Sequence, residues 1–126
     1  MDHRTERISE AIREELTELI GYEMSDPRVL NVAVTAVYIS PDKRKAVVRI
    51  AVHEGEVGPA LEALEHGKSF LKRQLGERLE IFRIPELYFE ADQTAMLSGR
   101  LDHIMKRIRK GRPRDVASGG EKKAVE

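Results

Sequence analysis

A chain of 126 residues supplies one domain with its own hydrophobic core and is too short for two. A composition of 40% hydrophobic and 35% charged residues describes a charged-surface globule, and the absence of cysteine excludes disulfides and thiolate metal sites. The formal net charge of zero hides a polarity: residues 1–65 carry −5 (8 Lys/Arg, 13 Asp/Glu) and residues 66–115 carry +5 (12 against 7). Such a division can steer a nucleic acid to one face, although a solvated surface can show the same pattern. The opening MDHRTERISE has no apolar signal core, and no stretch approaches the ~18 apolar residues of a membrane span, so a cytoplasmic protein is expected.

From Arg4 to about Tyr22, Ile8, Ala11, Ile12, Leu16, Leu19 and Ile20 form the stripe of an amphipathic helix. Gly21 and then Asp26-Pro27 stop it. A β-rich run, VLNVAVTAVYIS, starts at Val29, turns at Ser40-Pro41-Asp42 and returns as KAVVRIAV over Lys45–Val52, an antiparallel hairpin. A long helical pattern follows, then a third strand around Leu87–Glu90. That separation allows a parallel crossover. Leu97, Leu101, Ile104, Met105 and Ile108 predict a last helix ending near Lys110, with His103, Lys106, Arg107 and Lys110 opposite its apolar stripe. The expected organisation is a 1–110 domain and a 111–126 tail too polar to order itself. The fold class is α+β, ordered α-β-β-α-α-β with a further C-terminal helix.

Gly67-Lys68-Ser69 raises the question of a phosphate-binding loop. That loop needs GxxxxGK followed by Ser or Thr, and the first glycine position is Glu62 here. The preceding ALEALEH is helix-forming, so its amides are paired rather than aimed at an anion. A different tension explains the trio. In one straight helix, Val57, Leu61, Leu64, Leu71 and Leu75 share a stripe with Lys68 at its centre, while Phe70 is stranded opposite. Burying an unpaired lysine is costly. A break at Gly67–Ser69 turns Lys68 out to an exposed elbow. It also buries Phe70, Leu71, Gln74 and Leu75, leaving Ser69, Lys72 and Arg73 outside. A straight helix with Lys68 snorkelling is the plainer alternative. An elbow between two helices beside a small sheet is the build of KH-type RNA-binding domains, which clamp a nucleic-acid backbone without catalysis, although the usual GxxG loop is absent.

Together, SDPRVLNVAVTAVYISPDKRKAVVRIAV and ALEHGKSFLKRQLGERLEIFRIPELYFEAD resemble the ribosome-binding factor A family, with similarity from about Arg4 to Lys110. The resemblance implies a KH-like fold, a type II variant, with a three-stranded sheet covered by helices and an interhelical kink. It also implies a non-catalytic assembly factor that binds the free small ribosomal subunit and its rRNA during late maturation. Such a factor assists 5′-end processing of the precursor and matters most in the cold. Adjacent ribosomal proteins are further partners, and a monomer is expected. The family's Ala-x-Gly at the kink corresponds here to Gly67-Lys68-Ser69, small residues in a different order.

Candidate RNA-binding residues are Lys68, Lys72 and Arg73 at the kink, with Gly67 and Ser69 permitting close approach. Arg28 at the mouth of strand one and Lys43, Arg44 and Lys45 in the hairpin turn complete the set. Each is equally readable as a solvated surface charge. With three Phe and three Tyr, mostly in apolar patterns, base stacking is not expected to contribute. His3, His53, His66 and His103 lack metal-ligand spacing, so no metal or other cofactor is expected. His66 and Ser69 lack an orienting carboxylate, and no catalytic residue or enzymatic activity is expected. Two alternatives stay open: a KH-like module for another RNA or a protein partner, and a small nucleotide-dependent enzyme built on the GKS segment.

Overall fold

The computed structural model describes residues 3–53, 56–81, 83–94 and 123–124. Helix α1 (His3–Glu18) buries Ile8, Ala11, Ile12 and Leu16, the predicted stripe. It runs into a π-helical turn, Leu19–Glu23, where Met24 N–H donates to the Leu19 carbonyl at 3.0 Å. That wider turn keeps both Leu19 and Ile20 in the core. Asp26 then caps a 3-10 turn, Pro27–Val29, by accepting from the Arg28 amide at 2.9 Å. Proline preset for a turn, rather than β-branching, therefore governs Val29. Strand β1 begins three residues later than its composition suggested, at Val32–Ile39.

Strands β1 and β2 (Lys45–Val52) pair antiparallel, with a bulge between Val34 and Ala36. Thr35 at the bulge donates to the Asp92 carboxylate at 2.6 Å, tying β1 to the end of β4 (Glu86–Ala91). Between β2 and β4 lie α2 (Val57–His66), α3 (Lys68–Arg78) and the two-residue strand β3 (Leu79–Glu80). The crossover makes β4 parallel to β2, in the sheet order β1-β2-β4. The expected third strand is thus present and one residue longer at each end. A second, minimal sheet pairs β3 with β5 (Lys123–Ala124). The predicted last helix lies outside the described residues, as does the 111–126 segment apart from β5.

Alternation decides which face is covered. Ala46, Val48 and Ile50 of β2 and Leu87 of β4 are buried under the helices, against Ile12, Leu16, Leu64, Leu71 and Leu75. Helix α1 packs on β1, α2 on β2 and β4, and α3 on β4 and α1. Tyr38, Val47, Arg49 and Tyr88 look out from the opposite face.

Candidate nucleic-acid interface

The kink falls at Gly67, between the last residue of α2 and the first of α3. Its φ of −90° and ψ of 5° are open to any residue, so backbone freedom is not what selects glycine. Space is. A Cβ at 67 would lie 2.8 Å from Met24 Cε and 3.4 Å from the Ala63 carbonyl oxygen. Met24, on the loop after α1, rests where that side chain would be. Gly67 N–H donates to Ala63 O at 2.9 Å and Leu71 N–H to Gly67 O at 3.0 Å. These amides are spent on the helix, which removes the anion cradle a phosphate loop requires.

The turn at Gly67 sends Leu71 and Leu75 fully into the core and packs Phe70, half-buried, against it. Ser69 and Arg73 are exposed, Lys72 and Gln74 half-buried. Lys68 departs from the expected free elbow. Its side chain is only 21% exposed, its ammonium lies 2.8 Å from the Glu65 carboxylate, and it sits 5.5 Å above the Tyr88 ring. A carboxylate one helical turn back and an aromatic face across the sheet edge take up the charge that the sequence reading left to solvent.

The other candidates divide into two groups. At the kink end, Lys72 Nζ donates to Glu86 at 3.1 Å. Arg28 bonds the Asp26 carboxylate through Nε and Nη2 and reaches Glu62 at 3.7 Å. The Arg28 side-chain bonds, then its backbone N–H, pull the Asp26 carboxyl down to about 2. Among the described residues Arg73 has no carboxylate partner, and it lies 5.9 Å over the Phe70 ring. At the hairpin end, Lys45 lies 5.9 Å over Tyr88, while Lys43 and Arg44 project from the turn. Of the nine residues named from sequence, Gly67, Lys68, Ser69, Lys72, Arg73 and Arg28 lie about the kink and Lys43–Lys45 about the hairpin turn, and the two groups meet at Tyr88, whose ring carries both Lys68 and Lys45.

The structure also brings forward aromatics that residue counting dismissed. Tyr38, Val47 and Tyr88 stand side by side across β1, β2 and β4. The two tyrosines are 47% and 45% exposed. Arg49 lies 5.2 Å over the Tyr38 ring and donates to Glu90 at 2.7 Å. The signal was the strand period. Tyr38 alternates with Val37 and Ile39, and Tyr88 with Leu87, so both had to face away from the helices. Among the described residues no group of three His, Cys, Asp or Glu side chains could hold a metal ion. None of their helices is long and apolar enough to cross a membrane.

A kinked helix pair laid on a three-stranded mixed sheet, with cations beside the kink and the hairpin, defines a KH-like domain of the type II order. The family model for ribosome-binding factor A matches residues 4–105. Ribosome-binding factor A from Solibacter usitatus is 44% identical over 116 residues, covering 90% of this chain and 94% of that protein. The crystal structure of ribosome-binding factor A from Thermus thermophilus superposes with a TM-score of 0.65 at 28% identity, over 69% of this chain and 93% of that one. A Thermus thermophilus ribosome binding factor A model fitted into a cryo-EM map of a 30S complex gives 0.57 at 26% identity, covering 75% and 98%. The chain belongs to the ribosome-binding factor A family.

Proposed function

We propose that the protein is a non-catalytic assembly factor of the cytoplasm that binds the small ribosomal subunit and its rRNA. It acts during late maturation and assists 5′-end processing of the precursor, as a monomer that also meets adjacent ribosomal proteins. The observation that carries this reading is the family match over residues 4–105 on the same fold as a relative fitted into a 30S complex. The site chemistry agrees with a binding role: cations beside two exposed tyrosines. Gly67, Lys68, Ser69, Lys72, Arg73 and Arg28 supply one phosphate-contacting edge, and Lys43, Arg44 and Lys45 a second. Phosphate contacts set affinity and register, and the shape of the rRNA sets selectivity.

The test is cosedimentation of the full chain with purified small subunits, large subunits and naked rRNA across a salt series. Preferential, salt-sensitive association with free small subunits is expected. Equal association with all three, or none with small subunits, refutes the assignment.

A further inference from the structure

The hairpin turn, the first turns of α1 and the residues Ile81, Arg83 and Pro85 ahead of β4 line a cavity of about 360 Å³. That volume falls in the range of small-molecule sites, roughly 300–1,000 Å³. Its rim carries four cations, Arg4, Lys43, Arg44 and Arg83, contributed by three separate parts of the chain. Its floor is apolar: Ile8, Ile39 and Pro85 are buried and Ile81 half-buried.

The charge at this rim is only partly compensated. Among the described residues, Arg28, Arg49, Lys68, Lys72 and Arg78 are each in an ion pair with Asp or Glu, whereas the side chains of Arg4, Lys43, Arg44 and Arg83 are in none. The one carboxylate among the described lining residues, Asp42, anchors the turn and offsets one of the four charges: it accepts from Ser40 Oγ at 2.6 Å and from the Arg44 amide at 3.1 Å. Four cations against one carboxylate leave the rim net positive, and that surplus favours an added anion.

The rim is also held in place. Lys43 N–H donates to Ser40 O at 2.8 Å, Lys45 N–H to Ser40 Oγ at 3.0 Å, and Glu86 N–H to Arg44 O at 2.8 Å. The turn thereby holds Lys43 at φ 62°, a left-handed conformation where glycine or asparagine sits more comfortably. A lysine kept there against backbone preference fits a requirement for its charge. Three arginines offer planar, forked donors matched to phosphate, and an isoleucine–proline floor offers a surface for a flat heterocycle.

We propose that this cavity is a nucleotide subsite, which takes one unpaired nucleotide of an RNA strand with its base on the floor of Ile8, Ile39, Ile81 and Pro85 and its phosphates on Arg4, Lys43, Arg44 and Arg83. It rests on the small-subunit reading and adds the class of RNA element recognised: an unstacked nucleotide rather than duplex.

The test is titration of the isotope-labelled full chain with a single-stranded RNA hexamer, the same strand with abasic central positions, duplex RNA of the same length and free adenosine monophosphate, with an acidic hexapeptide as competitor. Small-subunit cosedimentation is run in parallel. Amide shifts are expected at Ile39, Lys43, Arg44, Ile81 and Arg83, and the intact hexamer binds roughly tenfold tighter than the abasic strand, as burying one base face on apolar side chains supplies. Arg44→Glu/Arg83→Glu weakens both strands, whereas Ile81→Ala narrows the gap between them while keeping the phosphate-driven part. Free nucleotide bound as tightly as the hexamer assigns the cavity to a soluble nucleotide and overturns the proposal. So does equal affinity for intact and abasic strands, preference for duplex, or displacement by an acidic hexapeptide at equal concentration. If small subunits still bind while the hexamer does not, the subsite falls and the assembly role stands; if neither binds, the assembly role falls too.

Discussion

The clamp between α1 and α3 can be broken at one atom group. Glu15 on α1 is 0% exposed, and its Oε1 lies 3.5 Å from Nη1 of Arg78, which is 15% exposed at the end of α3. The second arm of Arg78 reaches Glu23 at 3.2 Å. One guanidinium thus ties α1, the π-helical turn and α3 together. At this separation the attraction is about 5 kcal/mol with an effective dielectric near 20, against a desolvation cost of several kcal/mol per ion. The pair is therefore of small net value, but either half alone is a liability. Arg78→Met keeps most of the stem's packing and removes the charge, and should cost about 3 kcal/mol. For a chain of this size that lowers the melting temperature by roughly 10 °C.

Replacing both partners tests the reasoning more sharply than the single change. Glu15→Leu/Arg78→Met should recover to within about 1 kcal/mol of the parent, because apolar side chains of similar volume need no partner. Urea unfolding followed by circular dichroism gives both values, with an unchanged denaturant slope as the check that the same cooperative unit unfolds. A single variant costing less than about 1 kcal/mol, or a double variant as unstable as its two parents combined, would show that the buried carboxylate does not depend on Arg78.

Asp26→Asn keeps an oxygen to accept from the Arg28 amide but loses the charge. Because the folded-state carboxyl is held near 2 and the unfolded one near the ordinary ~3.9, the parent's advantage is full above about pH 4 and fades toward about pH 2. Melting curves of the two proteins across that range should converge at the acid end, and a constant offset would refute the assignment. Gly67→Ala trades about 0.4–1 kcal/mol of lost freedom in the unfolded chain against displacement of the flexible Met24 methyl, so stability should stay within about 0.5 kcal/mol of the parent. In a Met24→Ala background the same change should stabilise by about 0.4–1 kcal/mol in urea titrations. Lys72→Glu/Arg73→Glu and Lys43→Glu/Arg44→Glu should each weaken cosedimentation with small subunits while melting stays cooperative. Every cation withdrawn from an rRNA phosphate should lower the salt slope by somewhat less than one; an unchanged slope would remove that edge from the interface.

Much of the architecture was legible because local and global demands agree. The α1 stripe, the hairpin and the parallel return each follow from period and turn chemistry. The kink was legible for a stronger reason: a straight helix would have centred Lys68 on its apolar stripe. What could not be read was set by three-dimensional neighbours. Val29 looked like the start of a strand until Pro27 and the Asp26 cap claimed it. Lys68 looked free although Glu65 stood one turn away, since only the bend determines which neighbours its ammonium meets. Lys72 and Glu86 are fourteen residues apart, and Arg4 and Arg83 line one cavity from opposite ends of the domain's sequence. Such partners have no period to betray them.

The carboxylates at the kink bear on selectivity, and their removal separates affinity from discrimination. Glu65 and Glu86 neutralise Lys68 and Lys72 in half-exposed pairs, each worth only about 0–1 kcal/mol. An rRNA phosphate delivered in the right geometry can therefore displace them at little cost. A loosely held RNA, which cannot aim its phosphates, gains less from the exchange and meets a nearly neutral edge. Glu65→Gln/Glu86→Gln frees both ammonium groups for any polyanion. Binding to naked rRNA should then rise about tenfold and its salt slope by roughly one to two, while small-subunit binding rises much less, because the proposed complex would already use these cations. Filter binding and cosedimentation in the same buffers measure the two. An equal gain on both substrates would mean that the glutamates merely subtract charge, and that selection for the small subunit is made elsewhere on the protein.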